Sequence, residues 1–142
     1  MLPFRAYAAL ALFAPFLLAG PAQAQNVPTG VAPDWSAAQT VQVVMADFSF
    51  TPNALQFSAN KPYHLRLTNK AGHGHSFDAP EFFAAVTVAP EDKAKVVKGD
   101  VEVEGGQTVD VSFVPTVSGP YKFHCSHLGH AILGMTGDVV VQ

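Results

Sequence analysis

Tyr121-Lys-Phe-His-Cys-Ser-His-Leu-Gly-His-Ala-Ile-Leu-Gly-Met135 runs directly into Thr136-Gly-Asp-Val-Val-Val-Gln142. Tyr121 to His124 and Thr136 to Gln142 both carry strand patterning, so the stretch reads as two β-strands joined by a loop. The loop holds the chain's one cysteine, Cys125, with His130 five residues on and Met135 five further. Thiolate, imidazole and thioether are soft donors that suit copper better than a hard cation. A cysteine closing one strand, with two more donors in the loop behind it, puts three ligands on one short piece of backbone. The fourth has to come from another strand.

Outward from this loop the chain keeps a period of two. Val41, Val43 and Met45 alternate with Gln42, Val44 and Ala46, and Phe48 and Phe50 are expected to share a face about Ser49. Pro52-Asn53 marks a turn, after which Leu55 and Phe57 resume the alternation. In Pro62 to Asn69, residues Tyr63, Leu65 and Leu67 fall on one face and His64, Arg66 and Thr68 on the other, as in a half-buried strand. A glycine-bearing loop over Asn69 to Gly74 leads to a short strand, His75 to Asp78. Ala79 to Gly99 carries helix-start chemistry at Pro80 and Pro90 and is expected to be a loop with one or two short helices. Strand signals return at Val101 to Glu104 and at Thr108 to Val114. Seven to eight short strands with turn signals between them predict an all-β Greek-key β-sandwich. Phe77, Phe82, Phe83, Phe113, Phe123 and Tyr121 are its expected core.

The beginning of the chain reads differently. Arg5 precedes an apolar run from Ala6 to Gly20, and Ala22-Gln-Ala24 follows with small residues. That is the pattern of a secretory signal peptide, residues 1–24, cut after Ala24. The run is short for a bilayer span of about 20 residues, and Pro15 interrupts it. Removing 24 of 142 residues leaves 118, enough for one domain with a core. Residues 25–39, with Pro28, Gly30 and Pro33, read as a flexible leader whose Trp35 packs onto the domain; residues 40–142 form that domain. The expected product is a periplasmic protein with no membrane span. A lone thiol in an oxidising compartment is a liability unless buried, paired between chains or bound to metal, which favours metal at Cys125.

Loss of Arg5 leaves seven Lys and Arg against eleven Asp and Glu, a formal charge of −4. No basic run suits nucleic acid. Lys93, Lys95 and Lys98 form a small cluster that reads as a solvated face or as a contact for an acidic partner.

Two histidines compete for the fourth ligand position, His73 and His75 in Asn69-Lys-Ala-Gly-His-Gly-His-Ser-Phe77. Both point the same way in an extended segment, so spacing does not separate them. His75 is preferred because it opens an alternating segment and can be packed, whereas His73 lies between glycines. Strand alternation turns His124 away from Cys125. Asn69 is expected to tether the cysteine loop by a hydrogen bond.

With these residues in place, the chain from Val41 to Gln142 resembles the cupredoxins, the small type 1 blue copper proteins that include plastocyanin and azurin. The resemblance rests on the Phe50-Thr-Pro52 turn, the Asn69 to Phe77 segment and the Cys125/His130/Met135 loop. It implies an eight-stranded Greek-key sandwich with one copper per chain. It also implies His75, Cys125 and His130 as equatorial ligands and Met135 as the axial one. His127 competes with His130, which is favoured because its spacing to Gly134-Met135 matches the family's longer loops. The expected function is electron transport by a monomer that docks transiently with redox protein partners, with copper resistance or delivery as the alternative. The loop itself is longer than in plastocyanin and looks more like that of multicopper oxidases, where histidines beside the cysteine reach a trinuclear cluster. Six histidines in the whole chain are too few for such a cluster, so no enzyme is expected.

Overall fold

The computed structural model describes residues 32–142. The expected signal peptide and the first residues of the leader lie outside the described residues. Ten strands follow in order: β1 (Gln39–Ala46), β2 (Ser49–Thr51), β3 (Ala54–Phe57), β4 (Tyr63–Asn69), β5 (His75–Asp78), β6 (Val86–Val88), β7 (Asp100–Val103), β8 (Thr108–Pro115), β9 (Gly119–His124) and β10 (Thr136–Val141). A short helix, α1 (Pro80–Ala84), lies between β5 and β6, and 3-10 turns cover Trp35–Ala37 and Pro90–Lys95. No helix among these residues is long and apolar enough to cross a membrane.

The strands form two five-stranded sheets, one ordered β2-β1-β4-β8-β6 and the other β3-β10-β9-β5-β7. Within them β1 runs parallel to β4, and β10 parallel to β3; the other pairings are antiparallel. The all-β sandwich read from the alternation is the observed fold. In β4, Tyr63, Leu65 and Leu67 are buried while Arg66 between them is exposed. Ten strands stand against the seven to eight expected; one of them, β6, lies inside the stretch expected to hold only loop and helix. Its three residues are too few to show a period of two.

Phe48 departs from the expected pattern. It does not share the inward face of Phe50. The turn between β1 and β2 places Phe48 in the left-handed region, φ 59°, and leaves it 42% exposed, whereas Phe50 is buried. A period-two reading cannot see a turn that rotates one residue out of the pleat.

Aromatic rings fill the space between the sheets. Phe77 of β5 stacks on Phe123 of β9 with centroids 4.4 Å apart, and Phe50 meets Phe123 edge-on at 4.9 Å. A second group joins Phe57, Phe82 and Phe113. Gly137 of β10 lies opposite Phe123 in the ladder, and a Cβ there would run into that ring and come within 2.5 Å of the Asn53 carbonyl. The absence of a side chain at Gly137 is therefore what lets the Phe123 ring lie across β10. Trp35 packs as expected, half-buried, with its carbonyl oxygen 3.2 Å from His64 Nε2.

One charge is buried near the 3-10 turn. Asp92 accepts hydrogen bonds from the Ser112 backbone N–H at 2.7 Å and from Lys95 Nζ at 2.6 Å. Burial pushes its carboxyl up, but the Lys95 and Ser112 hydrogen bonds outweigh that and hold it below the usual 3.8. A depressed folded-state pKa contributes stability above the unfolded value, and that contribution fades as pH falls through the folded one. Asp92→Ala is expected to cost about 1–3 kcal/mol at neutral pH by stranding the Ser112 N–H. Urea unfolding should show the gap from wild type narrowing below about pH 3.8; a gap that is constant with pH would refute the linkage.

Candidate metal centre

The site is built at one end of the sandwich, mainly from the sheet that contains β5, β9 and β10. Asp78 of β5 pairs with His124 of β9, so the first residues of β5 run beside the segment that follows His124. Cys125 leaves β9 there, and Met135 returns the chain into β10.

The loop between them closes on itself. The Cys125 N–H donates to the Met135 carbonyl at 3.1 Å, and the Met135 N–H donates to the His130 carbonyl at 3.0 Å. Tight turns at His127–His130 and Ala131–Gly134 take up the remaining residues, with Gly129 and Gly134 at φ 82° and 104°, a conformation that favours glycine. The loop thus holds its own donors in place.

Three of the four expected ligand groups converge. His75 Nδ1 and His130 Nδ1 are 3.2 Å apart, and Cys125 Sγ is 3.4 Å from His130 Nδ1 and 3.8 Å from His75 Nδ1. A triangle with these sides has a centre about 2.0 Å from every corner, close to first-row metal–nitrogen and metal–thiolate bond lengths. The donors present therefore fit a metal ion. Met135 is fully buried and is tied by its backbone to both Cys125 and His130. His75 and Cys125 are buried too, while His130 is half-buried, with Phe48 against its ring at 5.3 Å.

Burial lowers the pKa of His75 from its usual 6.5, and the neighbouring charges of His73, His130 and His127 add to the effect against the opposing pull of Asp47. That favours the neutral imidazole, the form that ligates.

The competing histidines stand around this cluster, and His73 offers a ring nitrogen within 4.8 Å of those of His75 and His130. His73 lies at the rim, 54% exposed, with Nε2 3.7 Å from Asp47 Oδ1 and its ring 4.8 Å from that of His75. His127 turns out to Glu102, with Nε2 2.9 Å from Oε1, and stacks on His130 at 5.5 Å. His124 points away from the cysteine, as expected, to within 3.4 Å of Asp78 Oδ2.

The expected tether from Asn69 is corrected. Asn69 serves its own loop: its Nδ2 donates to the carbonyls of His73 and Val103, and its Oδ1 accepts from the Ala71 N–H. The cysteine loop is instead held by Ser76, whose backbone N–H donates to Cys125 Sγ at 3.4 Å and whose hydroxyl accepts from the Ser126 N–H at 2.9 Å. Ser126 Oγ in turn donates to Asp100 Oδ2. Sequence reasoning passed over Ser76, Asp47 and Phe48. The signal for Ser76 was its place next to His75; Asp47 and Phe48 reach the site only through the pairing of distant strands.

Comparison with known proteins bears on the fold and the family. Residues 8–141 match the family described as the cupredoxin-like domain, and the chain belongs to that family. No curated protein sequence matches it. Among solved structures, auracyanin B superposes with TM-score 0.56 at 24% identity, over 75% of this chain and 90% of that one. Auracyanin A, a blue copper protein of the green thermophilic photosynthetic bacterium Chloroflexus aurantiacus, gives 0.53 at 20% identity, over 72% and 98%. A multi-copper oxidase from Pseudomonas thermotolerans gives 0.61 at 17%, over 78% of this chain but 31% of that one. At these identities the likeness is one of fold.

Proposed function

We propose that the chain is an exported, monomeric carrier of single electrons, with one type 1 copper that His75, Cys125, His130 and Met135 would hold. The observation that carries this reading is the convergence of Cys125 Sγ and the two Nδ1 atoms to within 3.2–3.8 Å, on a loop that closes its own hydrogen bonds. Copper supplies a one-electron Cu(II)/Cu(I) couple when bound. The chain's residues do the rest. His75 and His130 present neutral nitrogens. Ser76 and the loop turns hold the sulfur and imidazoles in one arrangement, so little moves when an electron passes. The buried side chains of Phe77, Phe123 and Met135 keep water from the inner face.

His130 is the half-buried ligand, and the loop around it exposes Leu128, Ile132 and Leu133, with Phe48 alongside. An apolar rim of this size suits the small, short-lived contacts of electron-transfer partners. Copper resistance or delivery is the second reading, favoured by His73 and His127 at the rim.

The decisive test is electron paramagnetic resonance of the Cu(II)-loaded protein together with its metal content. The expected result is one copper per chain, a narrow copper hyperfine splitting and reversible one-electron reduction. A wide splitting would overturn the type 1 assignment, and two or more tightly held coppers would favour copper handling over electron transport.

A further inference from the structure

Three of the four inner donors are closed to water, and only the half-buried His130 meets solvent. Cys125 is 1% exposed, and His75 and Met135 are fully buried. A hydrated cation exchanges its waters one at a time, so its first protein ligands must be groups that solvent reaches. Two such groups stand over His75. His73 is 54% exposed and Asp47 66% exposed, with His73 Nε2 3.7 Å from Asp47 Oδ1. The same Asp47 oxygen is 4.0 Å from Nε2 of His75, which is buried and has no hydrogen-bond partner among the described residues. His73, His75 and His130 each offer a ring nitrogen within 4.8 Å of the others. Donors that share one first-row ion at bonds of about 2 Å stand roughly 3–4 Å apart, and Asp47 Oδ1 lies 3.7 Å from His73 Nε2 and 4.0 Å from His75 Nε2. Its nitrogen and carboxylate donors suit Cu(II) and contain no sulfur.

We propose that His73, Asp47 and Nε2 of His75 form an outer station that takes up Cu(II) before Cys125 does. The inference rests on the copper reading of the inner site and adds the route by which the ion reaches it. Asp47 draws the cation to the rim, and His73 supplies the first exposed nitrogen. His75 belongs to both sets, Nε2 facing the outer donors and Nδ1 the inner ones, and so links them. The ion then passes from Nε2 to Nδ1 of His75, the ring proton moving from Nδ1 to Nε2 through solvent, and Cys125 binds it at the inner site. Its thiol proton passes to solvent as the sulfur bonds the metal, with no change in the metal's oxidation state.

The test follows loading of the metal-free mature protein with Cu(II) in a stopped-flow instrument, with rapid-freeze paramagnetic resonance in parallel. Wild type should first show a Cu(II) signal of nitrogen and oxygen ligation with wide hyperfine splitting, and the thiolate band should grow in as that signal decays. His73→Ala and Asp47→Asn both alter exposed side chains. Each should slow growth of the band by about tenfold or more while leaving the final spectrum and copper content unchanged. Cys125→Ser should retain Cu(II) with the outer signature, and adding His73→Ala to it should weaken that retention by about tenfold or more. Unchanged loading rates in both single variants would overturn the outer station. A wild type that holds Cu(II) with the wide signal and never develops the band would instead refute the inner type 1 site, leaving the outer station as the place where copper stays.

Discussion

Replacing Cys125 with serine is expected to abolish the intense visible absorption of the copper-loaded protein. That absorption arises from charge transfer between thiolate and Cu(II), and Cys125 is the one cysteine in the chain. No other sulfur can substitute for it except the thioether of a methionine, which is too weak a donor to give such a band. Without the soft thiolate the remaining donors favour Cu(II) over Cu(I), so the reduction potential should fall as well. The loss in Cu(I) affinity should exceed the roughly 10- to 100-fold typical of changing only a ligand's hydrogen-bond partner. Because Cys125 Sγ contacts only His75, His130 and the Ser76 N–H among its polar neighbours, the metal-free variant should fold normally. Absorption spectra of the two loaded proteins make the comparison. A variant that kept the band would mean that the sulfur is not a ligand.

Phe77→Ala is expected to give the largest loss of stability. Phe77 is fully buried, stacks on Phe123 at 4.4 Å, and meets Phe50 and Phe83 edge-on at 6.2 Å. Truncating it removes one of the rings that join the two sheets and leaves a cavity that its rigid neighbours cannot collapse to fill. Such changes cost about 3–5 kcal/mol, a large part of the about 5–15 kcal/mol that holds a domain folded. Phe77 is also two residues from His75 on β5, so copper affinity should fall with stability. Urea unfolding of metal-free protein measures the first effect and competitive chelation the second. A cost under about 1 kcal/mol would show that the core repacks around the gap.

Much of this was legible in the chain because the information was local. Cys125, His130 and Met135 lie within eleven residues of one another, and the strands on either side announce themselves by alternation. The preference for His75 over His73 rested on one local property, that it opens a strand whose next residues are buried. What escaped was set by long-range pairing. Asp47 and Phe48 come to the rim because β1 and β2 turn there, and nothing in their neighbours' polarity marks that end of the sandwich. Asn69 was assigned to the wrong loop for a related reason: its short side chain reaches whatever the turn after β4 brings within 3 Å, which is that turn's own backbone and Val103. Ser76 took the role because β5 runs directly beside Cys125.

The sheet order has a mechanical consequence. β5, β9 and β10 belong to one hydrogen-bonded layer, and His75, Cys125, His130 and Met135 are all carried by it or by its connecting loop. Asp47 belongs to the turn between two strands of the opposite layer. Sliding of one layer over the other strains side-chain packing alone, whereas deforming a single layer breaks backbone hydrogen bonds. Small shears between the layers therefore shift Asp47 relative to His75 and leave the four inner groups in register with one another. The proposed inner donors thus lie along the stiff direction of the molecule, and Asp47 of the proposed outer station along the compliant one.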